Sequence, residues 1–102
     1  MPIGDFVNVI PAPVFLLIHF TAFAIGAYFS WRSFNADAGL LGWGFSLFAL
    51  AEISYMTYHL DWTNFLFAHF VSEVFNLVAF VLIFTAVTRG VTSHLRGAES
   101  RA

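Results

Sequence analysis

The sequence predicts an all-α fold, an integral membrane bundle of three transmembrane helices. Of the 102 residues, 60% are hydrophobic and only 10% are charged, and the charges leave three long apolar stretches. Soluble domains carry about 25% charged residues, and so few charges cannot cover the surface of a soluble protein of this size. The composition therefore argues against a water-soluble enzyme, and the net charge of −2 argues against a nucleic-acid partner.

The first predicted span covers residues 12–31. No charged residue occurs between Asp5 and Arg32, and a helix needs about 20 apolar residues to cross the hydrocarbon core of a bilayer. Pro11 and Pro13 lie at the start of this stretch, where the missing amide protons of proline cost a helix little. The stretch is therefore long enough, and suitably begun, for a spanning helix.

The second predicted span covers residues 39–60 and the third covers residues 62–88. Each stretch is apolar except for one charged residue, Glu52 in the second and Glu73 in the third. Both are long enough to cross a bilayer as helices. The whole chain is thus predicted to be one transmembrane domain.

The connections between the predicted spans differ in length. Asp61 and Asn64 favour turns and helix caps, which predicts a tight hairpin between the second and third helices. The connection around residues 33–39 is predicted to be slightly longer. Gly90 predicts the end of the third helix, and residues 89–102 are predicted to form a short solvated polar tail.

The arginines predict the orientation of the chain in the membrane. Three spans place the first connection and the carboxyl terminus on one side, together with every arginine of this lysine-free chain: Arg32, Arg89, Arg96 and Arg101. The only charged residues on the opposite side are Asp5 and Asp61. Because cytoplasmic loops carry the excess of basic residues, we expect the amino terminus outside and the carboxyl terminus in the cytoplasm of a bacterial inner membrane.

Four ionisable residues lie well inside the predicted spans: His19, Glu52, His69 and Glu73. Such residues are costly in lipid and usually face protein or water. At 1.5 Å per residue, the first three lie about 10–12 Å from the same side of the membrane, and Glu73 lies deeper. We therefore expect these side chains to meet within the protein.

The spacing of the polar residues places them on particular helix faces. His69, Glu73 and Asn76 are spaced i, i+4, i+7 and share one face of the third helix. A matching stripe, spaced i, i+3, i+7, lies on one face of the second helix and consists of Glu52, Tyr55 and His59. Because the two helices of a hairpin pack side by side, the stripes are predicted to meet.

The first helix presents small residues on the same face as His19. Ala22, Gly26 and Ser30 recur every four residues, a spacing that allows two helix backbones to approach closely. These three residues are the predicted helix-packing surface. The simplest packing turns one face of each helix inward, around a buried cluster of His and Glu.

The predicted cluster has four interpretations. It could be structural, with His and Glu hydrogen bonds that fix helix packing. His19 and His69 could bind a cofactor, as axial ligands of haem or as a ligand of chlorophyll magnesium. Glu52 and Glu73, with both histidines, could bind a divalent metal such as zinc or iron. The carboxylates could also carry protons or ions, which would require an oligomer.

The small size of the predicted extramembrane parts leaves little room for an active site, so we expect no enzymatic activity. The sequence favours an accessory or structural subunit, surrounded by lipid and packed against a larger membrane protein complex, for example a respiratory or photosynthetic one. The alternative is a homo-oligomeric transporter or channel, proton- or metal-coupled, that uses the intramembrane Glu and His. A lipid-modifying enzyme is the least favoured class.

Overall fold

The structure, a computed structural model, contains three α-helices joined by two short connections. It describes residues 3–4, 7 and 9–101, with side chains up to residue 97. The helices are α1 (Ala12–Asn35), α2 (Gly39–His59) and α3 (Phe65–Arg101). Each contains a stretch long and apolar enough to cross a membrane. The prediction of an all-α chain with three apolar helices is therefore confirmed.

Both connections begin with the same helix-terminating turn. At the end of α1, the Ala38 amide donates to the Ser33 carbonyl oxygen at 2.9 Å, and Asp37 has a φ of 58°. At the end of α2, the Trp62 amide donates to the Thr57 carbonyl oxygen at 2.9 Å, and Asp61 has a φ of 63°. This is the six-to-one hydrogen bond of the Schellman motif, with aspartate at the left-handed position where glycine is usual.

The connection between α2 and α3 ends in a helix cap. The Asn64 side-chain oxygen accepts a hydrogen bond from the Phe67 amide at 2.8 Å. This bond satisfies one of the amide donors that have no partner within the first turn of a helix. The predicted turn and cap roles of Asp61 and Asn64 are both confirmed.

Two predictions about the ends of the helices are wrong. The α1–α2 connection, residues 36–38, is shorter than the α2–α3 connection, residues 60–64, because α2 begins two residues after the turn at Asp37 whereas α3 begins four residues after the turn at Asp61. Gly90 does not end α3, which continues through the predicted tail to Arg101. At 37 residues, α3 is about 56 Å long, which is longer than the thickness of a bilayer core, about 30 Å.

The three helices form a layer with α2 in the middle. Helix α2 contacts both neighbours, whereas no described Cα atom of α1 lies within 8 Å of one in α3. The radius of gyration is 17.6 Å, against about 13 Å for a compact domain of this length. The expected packing with all three polar faces turned inward is therefore wrong, because α2 presents one face to α1 and another to α3.

The α1–α2 contact uses small residues of both helices. A side chain on Gly26 would place its Cβ atom 2.8 Å from the Phe48 ring. The Ser30 hydroxyl donates to the Gly42 carbonyl oxygen at 3.0 Å, and its oxygen lies 2.6 Å from the hydroxyl of Ser46. Gly26 and Ser30, two of the three residues in the predicted packing row, thus lie directly against α2.

The α2–α3 contact is similarly close but uses a different face of α2. A Cβ atom on Gly44 would lie 2.6 Å from Ile83. The buried Ser72 hydroxyl donates to the Ala51 carbonyl oxygen at 2.9 Å. Two further positions of α3 against this face, Ala68 and Ala79, are buried. Small side chains therefore set both helix separations.

The layer has two ends, which we call the hairpin end and the arginine end. The hairpin end comprises residues 60–64 and the first turns of α1. The arginine end comprises residues 36–38 and the part of α3 beyond residue 88. The three helices alternate in direction, so each span connects one of these ends to the other.

Candidate functional site

His19 of α1 and Glu52 of α2 form a hydrogen-bonded pair in the half of the layer nearer the hairpin end. The His19 Nδ1 atom lies 2.5 Å from the Glu52 Oε2 atom, and the side chains are 20% and 11% exposed. A hydrogen bond from imidazole to a carboxylate is among the stronger kinds in proteins. Glu52 therefore finds a hydrogen-bond partner within the chain.

The His19 ring belongs to a stack of four rings in which residues of α1 and α2 alternate. The ring centroids of Phe15 and His59 are 4.8 Å apart, those of His59 and His19 are 5.4 Å apart, and those of His19 and Tyr55 are 4.9 Å apart. The planes of neighbouring rings differ by 4°, 26° and 18°. We call these four residues the ring column. It fixes the orientation of His19 against α2.

The ring column is linked to α3 by Tyr55. The Tyr55 hydroxyl donates a hydrogen bond to the Glu73 Oε1 atom at 3.1 Å. Glu73 is exposed, unlike Glu52. Polar contacts therefore connect all three helices, from the His19–Glu52 pair through the stack of His19 on Tyr55 to Glu73.

His69 lies apart from these contacts. Its ring stacks on Phe65, one turn earlier in α3, with centroids 5.3 Å apart, and its side chain is exposed. The face of α3 that meets α2 is instead formed by small residues such as Ala68 and Ser72. The predicted meeting of polar stripes is thus limited to the contact between Tyr55 and Glu73.

The four predicted site residues do not gather into one cluster. His19 and Glu52 form one pair, Glu73 bonds to Tyr55, and His69 lies outside both contacts. Over the part of the chain that the structure describes, no group of three or more His, Cys, Asp or Glu residues could hold a metal ion. A metal site made of all four residues is therefore not formed within one chain.

The haem and chlorophyll hypotheses remain predictions, and His19 is the better placed of their two ligands. Glu52 binds its Nδ1 atom, which leaves the Nε2 atom as the nitrogen that could ligate a metal. A carboxylate behind a histidine is a common second partner in metal-binding proteins. His69 and His19 belong to helices that do not contact each other, so one chain does not present them as a facing pair.

Two residues that the sequence argument did not single out complete the site. Phe15 precedes His19 by four residues, so the helical period that predicted the polar stripes could have found it. Ser72 faces Ala51 from the turn before Asn76, and only the packing of α3 reveals its position.

A cleft of about 260 Å³ lies beside the ring column, lined in part by Phe15, Tyr58 and His59.

A second feature is an apolar groove between α1 and α3, which we call the α1–α3 groove. All three helices contribute to its lining, and its volume is about 220 Å³. Its lining residues are Ile25, Gly26, Phe29, Phe45, Phe48 and Ile83. The groove exists because α1 and α3 do not contact each other.

Comparisons of the chain with models of known protein families, with curated proteins and with solved structures find no match. The function is therefore inferred from three structural features. These are the hydrogen-bonded pair of His19 and Glu52, the exposed carboxylate of Glu73 and the apolar α1–α3 groove.

The His19–Glu52 pair should couple α1 to α2 more strongly than the Tyr55–Glu73 pair couples α2 to α3. A double-mutant cycle with His19→Ala and Glu52→Ala should give a coupling free energy of about 1–3 kcal/mol, because the bond is charge-assisted and partly buried. The parallel cycle with Tyr55→Phe and Glu73→Gln should give less than about 1 kcal/mol. Reversible unfolding in mixed micelles measures both cycles, and zero coupling in the first would contradict the assignment.

Proposed function

We propose that the protein is a three-span subunit of a larger membrane protein assembly. The observation that carries the proposal is the exposure of His69 and Glu73 on α3. Both lie within the stretch Phe65–Gly97, which is apolar enough to cross a membrane. Ionisable residues at such positions almost always face protein or a water-filled cavity. A second protein surface supplies that environment here.

The chain itself does not cover these residues. Of the described helices, α1 is the other one that could shield the exposed side of α3, and none of its Cα atoms lies within 8 Å of one in α3. Among the described residues, the hydrogen-bond partner of the Glu73 side chain is the Tyr55 hydroxyl, a single neutral donor. A carboxylate in hydrocarbon needs more compensation than one such bond. This shortfall favours a partner subunit at α3.

The two membrane glutamates support different roles. Glu52 is 11% exposed and pairs with His19 inside the chain, so its contribution is to hold α1 against α2. Glu73 is exposed and has no cationic partner among the described residues. The distribution of exposure therefore favours assembly through α3 over assembly through the α1–α2 contact.

The alternative is a homo-oligomeric transporter or channel. The polar contacts that connect His19, Glu52, Tyr55 and Glu73 across three helices favour it, since a proton path needs neighbouring titratable groups. It requires several copies of the chain, because a single layer of helices encloses no path. Proton or metal-ion flux in liposomes that hold the purified chain alone, lost in Glu73→Gln, would favour this alternative over the subunit.

We infer further that the arginine end faces the cytoplasm. Arg32 lies in the last turn of α1, and Arg89 and Arg96 lie in the part of α3 beyond residue 88. Asp61 lies at the opposite end. Basic residues close to spans favour the cytoplasmic side, which supports an outside amino terminus.

Single cysteines test this orientation, because the chain contains no cysteine. A membrane-impermeant maleimide should label Thr63→Cys in intact cells, since residue 63 belongs to the hairpin end. It should label Ser93→Cys, at the arginine end, only after the membrane is permeabilised. Labelling in the opposite order would contradict the orientation.

The subunit proposal predicts that a defined partner stays with the full chain in mild detergent. The complex should run as one species larger than the monomer on native electrophoresis, with a fixed stoichiometry by quantitative mass spectrometry. His69→Phe and Glu73→Gln should weaken the complex, whereas Asp61→Asn, which removes an exposed carboxylate outside the spans, should leave it unchanged. A stable monomer without a stoichiometric partner would contradict the proposal.

A further inference from the structure

We infer that the α1–α3 groove holds one transmembrane helix of a different polypeptide, and that this helix carries an arginine, lysine or histidine at the depth of Glu73. The inference rests on the proposed function. It goes further by naming the surface that binds the partner and the chemistry that the partner must bring.

The groove has the form of a missing helix position in a bundle. Its floor is formed by Phe45 and Phe48 of α2, one wall by Ile25 and Phe29 of α1, and the other wall by Ile83 of α3. The Cα atoms of its two walls are nowhere within 8 Å of each other. Helices pack with axes about 8–10 Å apart, so a helix laid on this floor of α2 side chains would pack against α1 on one side and α3 on the other.

The apolar floor of the groove continues to the polar residues of the hairpin half. Phe45, Phe48, Glu52 and Tyr55 follow one another at intervals of three and four residues along one side of α2. Tyr55 reaches across to Glu73 of α3 with its hydroxyl. The exposed Glu73 carboxylate therefore lies along the same open side of the layer as the groove, about 12 Å from the start of α3.

The charge of Glu73 specifies the occupant. The other membrane carboxylate, Glu52, is already paired with His19. Glu73 receives one hydrogen bond from a neutral hydroxyl. Intramembrane carboxylates pair with cationic side chains or hydrogen-bond donors from neighbouring helices. A lipid acyl chain could fill the apolar part of the groove but brings no cation to this depth, whereas a helix can do both.

A second copy of this chain does not fit the requirement. In the same orientation its arginines lie at the arginine end, and Arg89 is about 24 Å along the helix from Glu73. In the hairpin half, His69 is the exposed histidine, and it lies on the same helix as Glu73. A symmetric contact uses the same patch on both copies, so it would pair α3 with α3 and leave the groove open.

Oxygen accessibility of single spin labels tests the inference. Ile25→Cys places the label in the groove. Leu17→Cys is the matched control on the same helix, half a turn around from Gly26 and therefore away from α2. The native side chains are comparably exposed, 49% for Ile25 and 66% for Leu17. Each labelled chain is purified in mild detergent with its partner and placed in phospholipid nanodiscs, and the isolated chain is treated in the same way.

In the complex, the oxygen collision rate at residue 25 should be several-fold lower than at residue 25 of the isolated chain, where lipid reaches the groove. The rate at residue 17 should be the same in the complex and in the isolated chain, because this position faces lipid in both. Glu73→Gln should retain partner about tenfold less well or worse, with Asp61→Asn as the control and Glu73→Asp as the variant that restores retention.

Three results would overturn the inference. A retained partner with an unchanged rate at residue 25 would place the interface outside the groove and leave the proposed function intact. Low accessibility at residue 25 in the isolated chain would show that a second copy fills the groove. Full retention of the partner by Glu73→Gln would show that no cation faces residue 73. Absence of any partner would remove the inference and the proposed function together.

Discussion

The contact between His19 and Glu52 is the interaction on which the rest of the layer depends. Hydrocarbon offers no water to a carboxylate, so a membrane glutamate must find its partner in protein. Glu52 finds it on α1, 2.5 Å away, and the ring column aligns the imidazole for that bond. The pair fixes which face of α2 belongs to α1. Close packing at Gly26 and Ser30 extends the same contact toward the arginine end.

Once α1 occupies that face, α3 must pack on another. It does so through Ser72 and the close approach of Ile83 to Gly44. The consequence is a layer with an uncovered side that contains the α1–α3 groove, and with an exposed carboxylate at Glu73. The two glutamates thus differ, because Glu52 bonds to His19 across the α1–α2 contact whereas Glu73 is exposed and bonds to Tyr55. This difference supports the proposed role as a subunit, since a self-sufficient bundle would have covered both.

The sequence predicted the features that depend on one helix at a time. The three apolar helices, the turn at Asp61 and the cap at Asn64 follow from composition and local backbone chemistry. The spacing of Glu52 and Tyr55 correctly placed them on one side of α2, but spacing cannot say which neighbouring helix that side meets. The exposure of His69 and the separation of α1 from α3 depend on which neighbour each helix face meets. The spacing of residues along one helix therefore could not predict them. The end of α3 is wrongly predicted at Gly90, because a glycine permits a helix to end but does not require it to.

Disulfide trapping in the native membrane tests most directly whether α2 contacts both neighbours while α1 and α3 stay apart. A disulfide needs Cα atoms about 4.4–6.8 Å apart, and the chain has no cysteine of its own to interfere. The pair Ser30→Cys with Ser46→Cys replaces hydroxyl oxygens 2.6 Å apart, and Ala51→Cys with Ser72→Cys spans the α2–α3 contact. Both pairs should cross-link under mild oxidation, whereas Ile25→Cys with Ile83→Cys, across the groove, should not. Efficient cross-linking of the third pair within one chain would show that α1 and α3 close on each other, which would contradict the layer with α2 in the middle.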